Sequence, residues 1–176
     1  MKFKLFRFKR IKSTNNIAIK KIKKNIKKGV VIADEQTKGR GQYGKKWISY
    51  KGNLFLSIFF LINNNISSHR INELNCNILK KALSKIVNSR ISVKKPNDLL
   101  LNKKKFAGVL QETVKKNDKK YIIIGLGINL IKSPIIKNKL STNILLETKK
   151  IISKEKVIQI VLKEFKKNIK KFELNV

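Results

Sequence analysis

Gly39-Arg40-Gly41-Gln42-Tyr43-Gly44-Lys45-Lys46-Trp47 stands between two runs that read as strands, residues 30–35 and 53–62. Three glycines in six positions open conformations that few other residues reach. Successive N–H groups in such a segment can close around an anion. Arg40, Lys45 and Lys46 add charge for a phosphate or carboxylate. Residues 53–62 form an almost unbroken apolar run, which predicts a strand buried on both faces.

Upstream, residues 3–8 alternate apolar and basic, the pattern of a first strand. Ser13-Thr14 can cap a helix running to about Lys28, with Gly29 as its stop. Downstream, a turn at Asn63-Asn64-Asn65 leads to a helix over residues 67–88. Its Ile71, Leu74, Ile78, Leu79, Ala82 and Ile86 recur at helical spacing. Residues 91–94 read as a short strand ended by Pro96. Residues 99–101 and 106–114 form a hairpin about a turn at 102–105. Asn117-Asp118 turns into a β-branched strand over 121–128, and helices follow over 141–149 and 153–172. This order fits an α+β or α/β mixed sheet with helices on a face.

The 176 residues suit one domain, and 41% apolar content is enough to fold it. Against 10 acidic residues stand 43 basic ones, a net charge of +33. Such charge suits a nucleic-acid or membrane-surface binder. It also suits a sequence drifting toward lysine, because lysines crowd every region, including segments with a buried face. The exceptions to that drift are informative. Only five basic residues are Arg, and one is Arg40; the single Trp is Trp47; all glycines but Gly29 fall in or near the segments singled out here. Cys76 and His69 are each alone, so a structural zinc site is not expected. Cys76 in a helical pattern reads as a buried structural thiol. The longest apolar run is too short to span a bilayer. Residues 1–10 read as a strand, not a signal peptide, so a cytoplasmic protein without membrane contact is expected.

Three further segments share the loop's character. In Lys94-Lys95-Pro96-Asn97-Asp98, the proline holds Lys95 extended and presents Lys94 and Asn97-Asp98 at a strand end; a plain turn is the alternative. In Lys105-Phe106-Ala107-Gly108-Val109-Leu110-Gln111-Glu112, small residues inside a strand admit a close approach, or a bulge. Ile124-Gly125-Leu126-Gly127-Ile128-Asn129 again leaves space at a strand end, and Asn129 offers an amide. It lacks the third glycine and following helix of a dinucleotide fingerprint.

With Ser13-Thr14-Asn15, these segments resemble, in order, the motifs of biotin–protein ligases: Ser-Thr-Asn, Gly-Arg-Gly-Arg-x-Gly-x-x-Trp, Lys-Trp-Pro-Asn-Asp, Lys-x-Ala-Gly-Ile-Leu-x-Glu and Gly-x-Gly-Ile-Asn. The resemblance covers residues 13–129. It implies an α+β fold with a mixed, largely antiparallel sheet, of the class II synthetase-like biotin/lipoate ligase kind. It also implies ligation of biotin, through biotinyl-5′-adenylate made from ATP with Mg²⁺, to a lysine of a biotin carboxyl carrier domain. Lys94 then resembles the lysine touching both the biotin carboxylate and the α-phosphate, and Arg40 resembles the arginine over the adenylate phosphate. Ser13, Thr14, Asn15, Gln36, Gly39, Arg40, Gly41, Gln42, Lys94 and Gly108 are implied for biotin. Arg40, Lys94, Trp47, Asn97 and Asn129 are implied for ATP. No side chain claims the metal.

Two positions depart from the family pattern: Gln42 stands for the loop's second Arg, and Lys95 for the Trp before the proline. A single catalytic domain over 1–176 is expected, with no N-terminal helix-turn-helix and with the C-terminal β-barrel absent or severely reduced. Two rival readings are a lipoate–protein ligase, which Trp47 disfavours, and a basic nucleic-acid-binding domain. No specific nucleic acid is expected as a partner, since the aromatics fall in strand patterns. Sheet edges could pair to make a homodimer.

Overall fold

The computed structural model describes residues 3–63, 66–87 and 89–173. One seven-stranded sheet carries the fold, in the order β1-β2-β3-β7-β6-β5-β4. The strands are β1 (Lys4–Ile11), β2 (Gly29–Gln36), β3 (Leu54–Leu61), β4 (Ile91–Lys94), β5 (Asp98–Leu101), β6 (Lys104–Lys116) and β7 (Lys119–Ile128). Only β1 and β2 pair in parallel; every other neighbouring pair is antiparallel. The mixed, largely antiparallel α+β expectation is met.

The period-two alternation of the strands divides the core. On one face, Val30, Ile32, Leu54, Leu56, Ile58 and Phe60 pack beneath α2 (Ser68–Leu83), α4 (Lys154–Asn168) and the short α5 (Lys170–Glu173). On the other, Val31, Phe59, Tyr121 and Ile123 pack beneath α1 (Thr14–Lys23) through Ala18 and Ile22. Central β3 is buried on both faces, as its apolar run predicts. Helix α1 covers only part of its face, and at the glycine-rich end of β6 and β7 its first turn gives way to Trp47, which covers the rest.

Two-residue turns close the long hairpins. Asn102 and Lys103 have φ of 48° and 63°; Asn117 and Asp118 have 46° and 56°. Left-handed pairs of this kind follow the right-handed twist of the flanking strands.

Helix α1 ends earlier than the sequence suggests. Asn25, at φ 63°, supplies the left-handed turn, with Asn25 N–H on the Ile22 carbonyl at 2.9 Å and Ile26 N–H on the Lys21 carbonyl at 3.1 Å. Lys116 of β6 reinforces this end, its ammonium donating to the Lys23 carbonyl at 2.6 Å and to Asn25 Oδ1. Gly29 opens β2 instead of ending the helix. A Cβ there would lie 2.7 Å from the Phe59 ring. Ser13 occupies the N-cap position of α1, but its side chain makes no capping bond. Helix α2 ends at Leu83. The expected continuation fails: residues 84–86 form a turn, with Ile86 N–H on the Leu83 carbonyl at 2.9 Å, and only Asn88, with the Asn64-Asn65 part of the expected turn, lies outside the described residues. After β7 come α3 (Ile144–Thr148), α4 and α5, the last two separated at Ile169. No helix among the described residues is long and apolar enough to cross a membrane.

Candidate active site

The end of the α1 face beneath Trp47 and Asn15 is floored by glycine. Gly108 of β6 lies opposite Gly127 of β7, and Gly125 lies two residues further along β7. An added Cβ would come 2.4 Å from the Trp47 ring at Gly127, 2.9 Å from it at Gly108, and 2.4 Å from Asn15 Oδ1 at Gly125. The Trp47 indole and the Asn15 amide thus lie directly on backbone, an approach only glycine permits.

At the Asn15 end, neutral polar groups converge from three elements. Thr14 N–H donates to Gln36 Oε1 at 2.8 Å, and the Thr14 hydroxyl to the same oxygen at 3.2 Å. The Ser57 hydroxyl donates to Asn15 Oδ1 and lies 2.7 Å from the Thr14 hydroxyl. Asn15 Nδ2 donates to Glu112 Oε2 at 2.6 Å. Ser13, Thr14, Asn15 and Ser57 are all buried. Gln36 Nε2 reaches Ser49 at 3.2 Å, which ties the network to the loop.

The loop closes as a small hairpin. Trp47 N–H donates to the Gly39 carbonyl at 3.0 Å, Gly41 N–H to the Lys45 carbonyl at 2.6 Å, and Lys45 N–H to the Gln42 carbonyl at 3.1 Å. Tyr43 and Gly44 turn its tip at φ 54° and 72°. These three N–H groups therefore bond within the loop and do not form the open anion cradle that the glycine spacing suggested. Gly39 is fixed by contact, since a Cβ would lie 2.5 Å from the Trp47 carbonyl oxygen. Arg40 reaches across to Glu112, Nη2 to Oε2 at 2.6 Å. Arg40, Gly41, Gln42, Lys45, Gln111 and Glu112 border an open cleft of about 490 Å³. This cleft lies beside the glycine floor, which Trp47 and Asn15 themselves cover.

Lys94 ends β4 in register with Asp98, which pairs with Gly108 and so continues the row to Gly127. Lys94 is exposed. Asp98 pairs with Lys105 at 2.6 Å, and the Lys105 ammonium sits 5.3 Å from the Trp47 ring centre. The Lys95–Pro96 peptide is cis. Helix α2 holds this corner, with Asn72 Nδ2 on the Pro96 carbonyl at 2.7 Å and the Cys76 thiol on the same oxygen at 3.7 Å. Burial, then the charge of Asp98, pushes the Cys76 thiol up to about 11, consistent with a structural cysteine.

The two asparagines expected near a nucleotide are engaged internally. Asn97 Nδ2 donates to the Val109 carbonyl at 2.7 Å. Asn129 is buried, with Nδ2 on the Thr142 carbonyl at 3.1 Å and Oδ1 accepting from Asn53 at 3.4 Å. Asn53 in turn accepts from the N–H groups of Leu130, Ile131 and Lys132 at 3.0, 3.1 and 3.2 Å, which builds the turn after β7.

The structure therefore gathers Ser13, Thr14, Asn15, Gln36, Gly39, Arg40, Trp47 and Gly108 around one floor, with Lys94 at the end of its cross-strand row. It confirms the space that Gly125 and Gly127 were expected to leave, which Asn15 and Trp47 fill, and it adds Ser57, Glu112 and the pairing of Asp98 with Lys105, to which sequence reasoning gave no role. Ser57 had a signal, as the one polar residue within β3. Glu112 is one of only ten acidic residues. Among the described residues no group of three or more His, Cys, Asp or Glu could hold a metal. Asp98 and Glu112 are each paired with a cation. A dedicated protein cage for Mg²⁺ is not built here.

Residues 7–129, which hold this floor, its polar end and its basic loop, match the biotin/lipoate A/B protein ligase family, and the chain belongs to it. Within that family, the chain is 37% identical over 123 residues to the bifunctional ligase/repressor BirA of Escherichia coli, a match covering 68% of this chain and 38% of that protein. It is 30% identical over 108 residues to the biotin–[acetyl-CoA-carboxylase] ligase of Paracoccus denitrificans, covering 59% and 45%. The biotin protein ligase of Aquifex aeolicus, solved in complex with biotin and ATP, superposes with a TM-score of 0.81 at 32% identity, over 97% of this chain and 72% of that one. The chain thus spans under half the length of these curated relatives.

Proposed function

We propose that this chain ligates biotin to a lysine of a biotin carboxyl carrier domain, using ATP and passing through biotinyl-5′-adenylate. One observation carries the reading: a glycine floor with neutral donors and acceptors and Arg40 at one end, and the indole and Lys94 at the other. A ligand with a small polar ring and an anionic tail fits that polarity. Thr14, Asn15 and Gln36, held by Ser57 and backed by Ser13, suit a ureido ring, which needs donors and acceptors together. Gly41 and Gln42 border the open cleft, while Gly39 and Gly108 lie against Trp47 and set its place.

In the first step a biotin carboxylate oxygen bonds to the α-phosphorus and pyrophosphate leaves. Two anions must approach each other, and Lys94 and Arg40 offset their repulsion with fixed positive charge. In the second step the neutral amine of the carrier lysine attacks the acyl carbon. AMP leaves, and the amine gives up a proton. Trp47 offers a face for adenine. Asn97 and Asn129 act by fixing the corner and turn beside the nucleotide. Mg²⁺ would arrive with the ATP phosphates, as it usually keeps several waters and few protein ligands.

Seven of the acidic side chains are already paired with Lys or Arg. Ten acidic residues against 43 basic ones leave the net +33, which supports an acidic carrier as partner and an encounter rate that falls with salt. The test is incubation with biotin, Mg-ATP and a carrier domain, read by labelled streptavidin, beside Lys94→Ala and Arg40→Ala. Transfer that depends on both residues is expected. Folded protein giving neither transfer nor biotin-dependent pyrophosphate release would refute the proposal.

A further inference from the structure

One carboxylate oxygen bridges the two halves of the site. Glu112 Oε2 accepts from Asn15 Nδ2 and from Arg40 Nη2, each at 2.6 Å. Glu112 lies on β6 two residues beyond Leu110 and four beyond Gly108, so its side chain shares their face of the sheet. Asn15 is fixed from its other end by Ser57 and lies against Gly125. Among the described residues Arg40 is held by its loop and by Glu112, and it opens onto the cleft of about 490 Å³. An anion entering that cleft meets a guanidinium already neutralised by a carboxylate.

We infer that Glu112 is a placeholder anion: it holds Arg40 in the site until a phosphate takes its place, and it recaptures Arg40 when the nucleotide product leaves. This rests on the proposed role of Arg40 at the adenylate phosphate. Without Glu112, Arg40 would hang from an exposed loop. With it, the guanidinium is oriented beforehand, and each phosphate must displace a resident charge. Binding is weakened in exchange for orientation and release. The side chains of Arg40 and Glu112 are 40% and 27% exposed, so water screens the pair and its replacement stays within reach of one ligand phosphate.

Glu112→Gln separates these effects. The amide oxygen can still accept from Asn15, but the charge facing Arg40 is gone. The Michaelis constant for ATP in biotin-dependent pyrophosphate release should fall about two- to five-fold, the range for a partly exposed ion pair. The constant for biotin should stay within about two-fold, and kcat should not rise. In an Arg40→Ala background the same substitution should leave the ATP constant unchanged, because the gain passes through Arg40. A merely structural Glu112 would raise both constants and would be indifferent to Arg40. If Glu112→Gln does not fold, Glu112→Asp serves, since its shorter arm draws the charge back from Arg40 and should lower the ATP constant in the same direction. An ATP constant that rises or holds in the Glu112 variants, while Arg40→Ala raises it, overturns the placeholder and leaves the ligase proposal standing. An ATP constant indifferent to Arg40→Ala overturns the role of Arg40 and the placeholder together.

Discussion

Gly127→Ala places a methyl group where the structure has an indole. The new Cβ would lie 2.4 Å from Trp47 Cε2, 2.6 Å from Cζ2 and 2.8 Å from Nε1. Comfortable carbon contacts begin near about 3.5 Å, so the ring must rise by roughly 1 Å at that edge. The indole is rigid and cannot bend aside as a flexible chain end would. Its carbonyl bonds with Ser49 and its N–H bonds with Gly39 hold it from behind. Overpacking of this kind costs about 1–3 kcal/mol. Because Trp47 is the chain's single tryptophan, intrinsic fluorescence reports on this site alone. The expected result is a red-shifted emission, a urea midpoint lowered in keeping with that cost, and loss of biotin-dependent pyrophosphate release. Gly44→Ala, at the loop tip, is the control: nothing lies within 4 Å of its Cβ, and its φ of 72° confines the cost to local backbone strain. Unchanged emission and midpoint in Gly127→Ala would show that the indole does not rest on β7, and the account of the glycine floor would fail.

Three other outcomes are expected. Lys116→Met removes the ammonium that satisfies the Lys23 carbonyl at the end of α1, and should lower stability by about 1 kcal/mol in denaturant titration; no change would mean that the Asn25 turn alone suffices. Glu147, Glu155 and Glu164 titrate below their ordinary 4.5, chiefly through hydrogen bonds from Thr142, Arg7 and Lys85 respectively, so their stabilisation is present above pH 4.5 and is lost as pH falls through their folded values. A melting temperature that stays level as the pH is lowered below 4.5 would contradict this. Gln42→Arg restores the charge that the family loop carries and should slow escape of the adenylate, measured as uncoupled biotin-dependent AMP release without carrier; an equal leak would show that Gln42 does not weaken retention.

Much of the sheet was legible because its signals are local. The apolar run of β3 and the Asn-rich turns at 102–103 and 117–118 act over a few residues, where periodicity and left-handed backbone preference decide. The end of α1 was misplaced because two residues could supply the stop, and a tertiary contact decided between them. Gly29 is used by Phe59, and Asn25 is backed by Lys116. The site was legible as motifs but not as connections. Nothing local says that Glu112 joins Asn15 to Arg40, 97 and 72 residues away in the chain. Nor does anything local say that Asn129 faces Asn53 instead of open space. Three of the loop's N–H groups turn inward for a related reason. Glycine spacing reports what the backbone can do, and hydrogen bonds between Gly39 and Trp47 select which of those conformations it adopts.

Strand β1 has one neighbour, β2, and so presents a free edge. Along that edge its sequence sets Lys4, Arg7, Lys9 and Arg10 among Leu5, Phe6 and Phe8. An unpaired strand with half-exposed Leu5 would ordinarily invite stacking into fibrils. Arg7 and Arg10 are held by Glu155 and Glu35, but a second copy would still bring Lys4 and Lys9 against matching cations within one strand spacing, and the repulsion grows as salt is removed. Concentrated stocks of this protein should therefore keep best in dilute buffer, and cloud as salt or polyanions mask that row.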